Sequence, residues 1–180
     1  MICQLSEADR PAILDVIVDA ATAYRGVIPA DCWHEPYMSE AELRQEIAAG
    51  VEFFGWEEQA KLLGVMGLQH VRDVTLIRHA YTRTAHQGRG IGGQLLAHLR
   101  GRARARLFVG TWTAAAWAID FYEHRGFSVV GPEEKERLLT TYWTVPERQR
   151  QASVVLATPG PPEAQVAGPS RGREAPRSGW

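Results

Sequence analysis

Gln87-Gly88-Arg89-Gly90-Ile91-Gly92-Gly93-Gln94-Leu95-Leu96 is a turn dense in glycine that runs directly into a helix. Glycines at 88, 90, 92 and 93 remove the Cβ atoms that would hold another group away from this backbone. The spacing of Leu95, Leu96 and Leu99 predicts a helix with one apolar face to bury. The first turn of a helix carries N–H groups without an internal partner, together with the positive end of the helix dipole. A glycine turn opening into a helix is therefore suited to an anion, and phosphate is the usual one. The alternative is a turn that merely joins two elements.

Gly88, Gly90 and Gly93 also satisfy G-x-G-x-x-G, the dinucleotide fingerprint. Such a site follows the first strand and needs an acidic residue roughly 20 positions later to hold the ribose. Here the glycines lie mid-chain, and residues 108–113 contain no carboxylate. A P-loop is excluded as well, because no Gly-Lys-Ser/Thr follows.

Composition bounds the rest. At 180 residues, with 45% apolar and 23% charged side chains, the chain is expected to be one soluble globular domain. A net charge of -1 provides no general attraction to nucleic acid or to an anionic membrane. Cys3 and Cys32 are too few for a disulfide framework, so a reducing cytoplasm is the expected compartment. The first ten residues lack a signal-peptide pattern, and no apolar run approaches the length of a membrane span.

Taken in order, Ile2 to Leu5 predicts a short strand. Ser6 or Asp9 then caps a helix carrying the stripe Ile13, Leu14, Ile17, Val18, Ala21. Residues 24–37 have no clean period and hold Tyr24, Trp33, Tyr37, His34 and two carboxylates. This loop either lines a site or plugs the edge of the core. Cys32, His34 and Glu35 match no common zinc spacing, so no metal is expected. Ser39-Glu40-Ala41-Glu42 is a capping box that starts a second helix, and Gly50 ends it.

Val51 to Trp56 and Leu62 to Val71 predict an antiparallel hairpin. Gly64 and Gly67 in its second strand point to a bulge or a close backbone approach. A strand from Val74 to Thr82 leads into the glycine turn. The helix from about Gly90 to Ala105 and a strand from Leu107 to Trp112 complete a parallel crossover. Arg100, Arg102, Arg104 and Arg106 are expected on a solvated face late in that helix. A helix over Ala114 to His124, a strand over Phe127 to Val130, a helix from Pro132 stopped by Pro146 and a strand over Ser153 to Leu156 follow. Beyond residue 157 the chain is rich in proline and glycine, and 158–180 is expected to be a disordered tail.

Two motifs carry a family resemblance. Gln87-x-x-Gly90-x-Gly92 resembles the Q/R-x-x-G-x-G/A pyrophosphate loop of the GNAT N-acetyltransferases, and Ala118-Ile119-Asp120-Phe121-Tyr122-Glu123-His124-Arg125-Gly126-Phe127 resembles their A-x-x-F-Y-x-x-x-G-F segment. The resemblance covers residues 1–157. It implies an α/β fold with a mixed central sheet, whose two parallel central strands splay apart and are flanked by helices. It also implies an acyl-coenzyme A-dependent N-acyltransferase that moves acetyl from acetyl-coenzyme A to a primary amine by direct attack. A catalytically weak acyl-coenzyme A sensor, or a partner-binding protein on the same fold, is the alternative.

In such a site the cofactor would meet Thr82, Gln87, Gly88, Arg89, Gly90, Ile91, Gly92 and Gly93. Tyr122 either protonates the departing thiolate or is a core aromatic beside Phe121 and Phe127. His79, on the strand before the loop, is either the base that deprotonates the amine or a satisfied strand histidine. The implied partner is a small-molecule or peptide amine, with no nucleic acid and no membrane; a homodimer is left open. The chain departs from the family pattern at Ala115, where asparagine is frequent, and at Thr82 and Thr84, where valine and proline are usual.

Overall fold

The computed structural model describes residues 1–160. Strand β1 (Ile2–Gln4) is followed by helices α1 (Arg10–Ala21) and α2 (Glu40–Ala48). Strands β2 (Glu52–Glu58), β3 (Lys61–Val71) and β4 (Val74–Thr82) form a meander. Next come α3 (Ile91–Arg100), β5 (Leu107–Trp112), α4 (Ala116–Glu123) and β6 (Ser128–Val129). The described part closes with α5 (Pro132–Tyr142), α6 (Glu147–Gln151) and β7 (Ser153–Ala157). The stretch expected to be a disordered tail lies, from residue 161 on, outside the described residues.

Seven strands form one sheet in the order β1-β2-β3-β4-β5-β7-β6. All neighbours are antiparallel except β4 and β5, which are parallel, as a strand–helix–strand crossover requires. Those two pair only from Thr75–Leu107 to Ile77–Val109. Beyond that point β4 stays with β3 and β5 stays with β7, so the centre of the sheet opens.

Helices cover both faces. On one, Ile91, Leu95, Leu96 and Leu99 of α3 pack with Phe54, Met66, Ile77 and Val109, joined by Tyr122 and Phe127. On the other, α1 and α2 bury Ile13, Val16, Ile17 and Leu43 against Phe53, Val65 and Leu62. Leu138 and Leu139 of α5 close the β5–β7 half. The four buried side chains of α3 contribute about 1.5–3 kcal/mol each. That exceeds the roughly 0.5–1 kcal/mol that each of Gly92 and Gly93 costs inside the helix relative to alanine.

Ser39 and Glu42 form the expected capping box, with Glu42 N donating to Ser39 Oγ at 3.2 Å. The last turn of α3 stops earlier than its sequence suggests, at Arg100 rather than near Ala105. Leu99 is its last apolar residue and Gly101 follows. The arginine run therefore lies mostly beyond the helix. Instead of a plain solvated face, Arg100, Arg102 and Arg106 lie over Phe127, Phe54 and Phe108 at 5.0, 5.0 and 4.9 Å. Helix α6 was not expected at all; its five residues hold no apolar side chain, so no periodicity betrays it.

Candidate active site

A cleft of about 1070 Å³ runs from the glycine turn, through the gap between β4 and β5, to the loop after α1. Its first wall is backbone. Gly88 and Gly90 sit at φ +75° and +79°, the left-handed region that favours glycine, and a Cβ at either would point into open space. Gly90 is the N-cap of α3, and the first intrahelical bond is Gln94 N to Gly90 O at 3.0 Å. Among the described residues nothing accepts from the N–H groups of Ile91, Gly92 and Gly93, and no side chain caps the helix. A row of free donors at a dipole's positive end fits a pyrophosphate.

The neighbouring glycines serve packing instead. A Cβ on Gly92 would lie 3.4 Å from the Phe121 ring, and one on Gly93 would lie 3.1 Å from the Arg125 guanidinium, so α4 closes against α3 there. Gly64 admits Ile91, whose Cγ2 would stand 2.8 Å from an added Cβ, and Gly67 likewise admits Val51. Both are the close approaches their positions in β3 suggest. The turn is tied down by Thr84 N donating to Asp19 Oδ2 at 2.7 Å, Arg83 N to Leu63 O at 2.8 Å and Gln87 Nε2 to Thr82 O at 3.2 Å. Thr82, Gln87, Gly88, Gly90, Ile91, Gly92 and Gly93 all line the cleft. The Arg89 side chain turns toward Glu58, 2.9 Å away, and His86 at 2.8 Å.

Tyr122 occupies the gap on the α4 side, only 4% exposed. Its ring meets Phe121 at 5.0 Å and Phe127 at 5.4 Å, both edge to face. Its hydroxyl bonds to no group among the described residues and is not sealed in, because Tyr122 lines the cleft. Burial pushes its pKa well up, the nearby Tyr24 adds to this, and Arg125 opposes it. The phenol thus keeps its proton at neutral pH and holds it over the opening.

Opposite lies a β-bulge in β4. Val65 pairs with Tyr81 and Gly67 with Arg78, so β4 spends one residue more than β3 over this interval. His79 takes the left-handed conformation at φ +48°. Ile77 and Ala80 both join the α3-side core, so the intervening Arg78 and His79 project together to the α2 side. There Glu46 Oε2 accepts from Arg78 Nη2 at 2.6 Å and from His79 Nε2 at 3.0 Å. Burial alone raises the Glu46 pKa, but the hydrogen bond and charge of His79 and the charge of Arg78 outweigh it and hold it below the usual value. An ionised carboxylate only accepts, so His79 is protonated at Nε2 when neutral and its basic nitrogen is Nδ1. Phe53 stacks on the imidazole at 5.8 Å.

A model of the acetyltransferase (GNAT) domain matches residues 17–141, well over half of the chain. The protein belongs to the GNAT acetyltransferase family. Members of this family take their acetyl group from acetyl-coenzyme A. The fold is similar to that of PaiA N-acetyltransferase from Thermoplasma acidophilum, determined with coenzyme A, at TM-score 0.67 and 17% identity over 88% of this chain and 97% of that one. It is also similar to ribosomal-protein-alanine N-acetyltransferase from Brucella melitensis, at TM-score 0.60 and 20% identity over 87% and 97%. N-acetylglutamate synthase from Neisseria gonorrhoeae, complexed with coenzyme A and N-acetyl-glutamate, matches at TM-score 0.60 and 23% identity over 88% of this chain but 34% of its own. No curated protein matches the sequence significantly. Among the described residues no helix is long and apolar enough to cross a membrane.

This GNAT domain also has groups that motif reading passed over. Glu46, Tyr81, Trp117 and Arg125 all line the cleft. Arg125 stacks on Phe121 at 4.0 Å and donates to its carbonyl at 2.8 Å, which sets it beside Gly93. The strand carries one local signal for the bulge: Arg78-His79 are two consecutive polar residues set between Leu76-Ile77 and Ala80-Tyr81, a pairing that regular strand alternation does not produce. Ala115, where the family frequently has asparagine, is fully buried at the start of α4 beside Ile28 and Trp112.

Proposed function

We propose that this chain transfers the acetyl group of acetyl-coenzyme A to a primary amine by direct attack. The observation that carries this reading is the hydroxyl of a buried, protonated Tyr122, without a partner among the described residues, in the gap that begins at the uncapped first turn of α3. Acetyl-coenzyme A, when bound, supplies the thioester; the residues of this chain hold it and move protons around it. The N–H groups of Ile91, Gly92 and Gly93, with the turn from Gln87 to Gly90, hold the pyrophosphate. Thr82 and the backbone of Arg89 border it.

His79 Nδ1 takes a proton from the incoming ammonium group, while Glu46 fixes the imidazole tautomer and faces the charge that forms. The freed amine nitrogen bonds to the acetyl carbon and gives its second proton to solvent, the carbon–sulfur bond breaks, and Tyr122 gives its proton to the leaving sulfur. Solvent returns a proton to Tyr122 and receives the one held by His79, so the products are an amide and free coenzyme A.

The test is thiol release from acetyl-coenzyme A in the presence of mixed amines. Amine-dependent release supports the transferase. Tight binding of acetyl-coenzyme A with no release for any amine would leave the sensor as the better account.

A further inference from the structure

Beyond His79 the cleft is walled by aromatic rings brought from four separate parts of the chain. Tyr24 follows α1, Tyr37 ends the loop before α2, Tyr81 lies on β4 past the bulge and Trp117 opens α4; all four line the cleft. Tyr24 meets Tyr37 at 5.8 Å, Tyr81 at 6.4 Å and Trp117 at 5.5 Å, and Tyr37 meets Tyr81 at 6.5 Å. Rings this close leave no space between them for a ligand, so they form a continuous surface rather than a cage. Trp112 Nε1 donates to the Tyr37 hydroxyl at 3.0 Å and holds that ring in place. Trp117 is 46% exposed, which leaves an apolar face of the wall open to the cleft mouth.

Most charges on this side are matched. Asp31 is held by Arg148 at 2.6 Å and Glu46 by Arg78 and His79, while Glu42 is hydrogen-bonded by the neutral Ser39 in its capping box and keeps its charge. A polycationic acceptor needs several spare carboxylates, and of these three Glu42 alone lacks a cationic partner. Arg78 and Arg148 are engaged by the same pairs, so an acceptor carrying a carboxylate finds no spare partner in them either. Selection therefore falls to apolar and ring contacts. A flat apolar body stacks on such a wall, and an ammonium group passing it is attracted to the ring faces before losing its proton.

We infer that the acceptor is a small primary amine borne on a planar aromatic body, laid against Tyr24, Tyr37, Tyr81 and Trp117 with its nitrogen toward His79. The inference rests on the transferase reading above, and a binding arm separates the two. At saturating acetyl-coenzyme A, kcat/KM by thiol release is compared for tryptamine, phenethylamine, hexylamine, spermidine and a free-amino-terminus peptide. The expected order puts the two aromatic amines at least about 10-fold above the others. Trp117→Ala, a change at a half-exposed ring, should raise KM for tryptamine several-fold, leave that for acetyl-coenzyme A unchanged and affect hexylamine less.

Calorimetry of tryptamine against the protein with coenzyme A present reads the wall without turnover. Binding that weakens in Trp117→Ala, even with no amine acetylated, supports the wall and overturns the transferase. Spermidine or the peptide equalling the aromatic amines overturns the wall and keeps the transferase. So does a loss in Trp117→Ala that is equal for every amine, and absence of tryptamine binding overturns the wall as well.

Discussion

The two ends of the cleft are built from different material. The end we propose for the acetyl donor is backbone: three N–H groups at the start of α3 with no acceptor among the described residues, reached through left-handed glycines. The end we propose for the acceptor is side chains: a histidine and an arginine projected together by a bulge, a glutamate from α2, and rings from four segments. A backbone site tolerates nearly any side chain that stays out of the way, whereas a side-chain site depends on each group and on what holds it. Substitutions should therefore act in opposite ways at the two ends.

The largest effect is expected from an intrusion at the donor end. Gly90→Asp forces a side chain onto a φ of +79° and sets a carboxylate where the phosphates should lie. Like charges facing each other cost several kcal/mol, so acetyl-coenzyme A affinity should fall on the order of 10³-fold by calorimetry. Truncating the side chains there, as in Arg89→Ala, should change it only a few-fold. If Arg89→Ala costs as much as Gly90→Asp, the donor end is not a backbone site.

Loss of a single atom should be felt next. Tyr122→Phe keeps the ring against Phe121 and Phe127 and removes only the hydroxyl. Thiol-release kinetics should show kcat lowered roughly 10²-fold with KM for acetyl-coenzyme A near the parent value. A kcat within about twofold of the parent, with lower stability, would assign the hydroxyl to a hydrogen bond worth ~1 kcal/mol. Because burial raises the Tyr122 pKa above its usual 10.0, no loss of activity from its ionisation is expected on the alkaline side of neutrality.

Glu46 offers a pH-dependent comparison. Its folded pKa lies below the usual 4.5, so its bonds to His79 and Arg78 stabilise the fold above that range. The contribution is lost as pH falls through the depressed value. Thermal melts of Glu46→Gln should lie below the parent at pH 7, and the two should converge as the medium is acidified. A constant gap across that range would mean the carboxylate's charge is not what holds the bulge.

The smallest effect is expected away from both ends. Thr158 is tied in by Leu107 O, 3.0 Å from its N–H, and by Arg106 Nε donating to its carbonyl at 2.8 Å. Truncation after Thr158 keeps those bonds and should leave Tm almost unchanged. A drop of several degrees would show that later residues support the domain.

The donor end could be read in the sequence because its determinants are local. Gly88 and Gly90 set the turn, Leu95, Leu96 and Leu99 set the helix face, and the Phe121-Tyr122 segment follows one strand later. Helix caps, strand limits and the parallel crossover depend on neighbours a few residues away, so β4 and β5 were found within their observed bounds. Local signals failed where tertiary contacts replace them. The arginines after α3 found aromatic rings instead of another helical turn, and α6 is held by Arg148 to Asp31 and Arg150 to Glu136 without an apolar stripe.

The sequence by itself determined the glycine turn that opens α3, the order of strands and helices and the presence of a tyrosine beside the opening. Only the tertiary structure decided what surrounds them. Glu46 and His79 lie 33 residues apart, and Tyr24, Tyr37, Tyr81 and Trp117 belong to segments with no common period. Their meeting follows from one extra residue in β4 and from strands that part after Ile77 and Val109. A bulge reverses which face each later side chain takes, and sequence spacing alone does not reveal on which strand it falls.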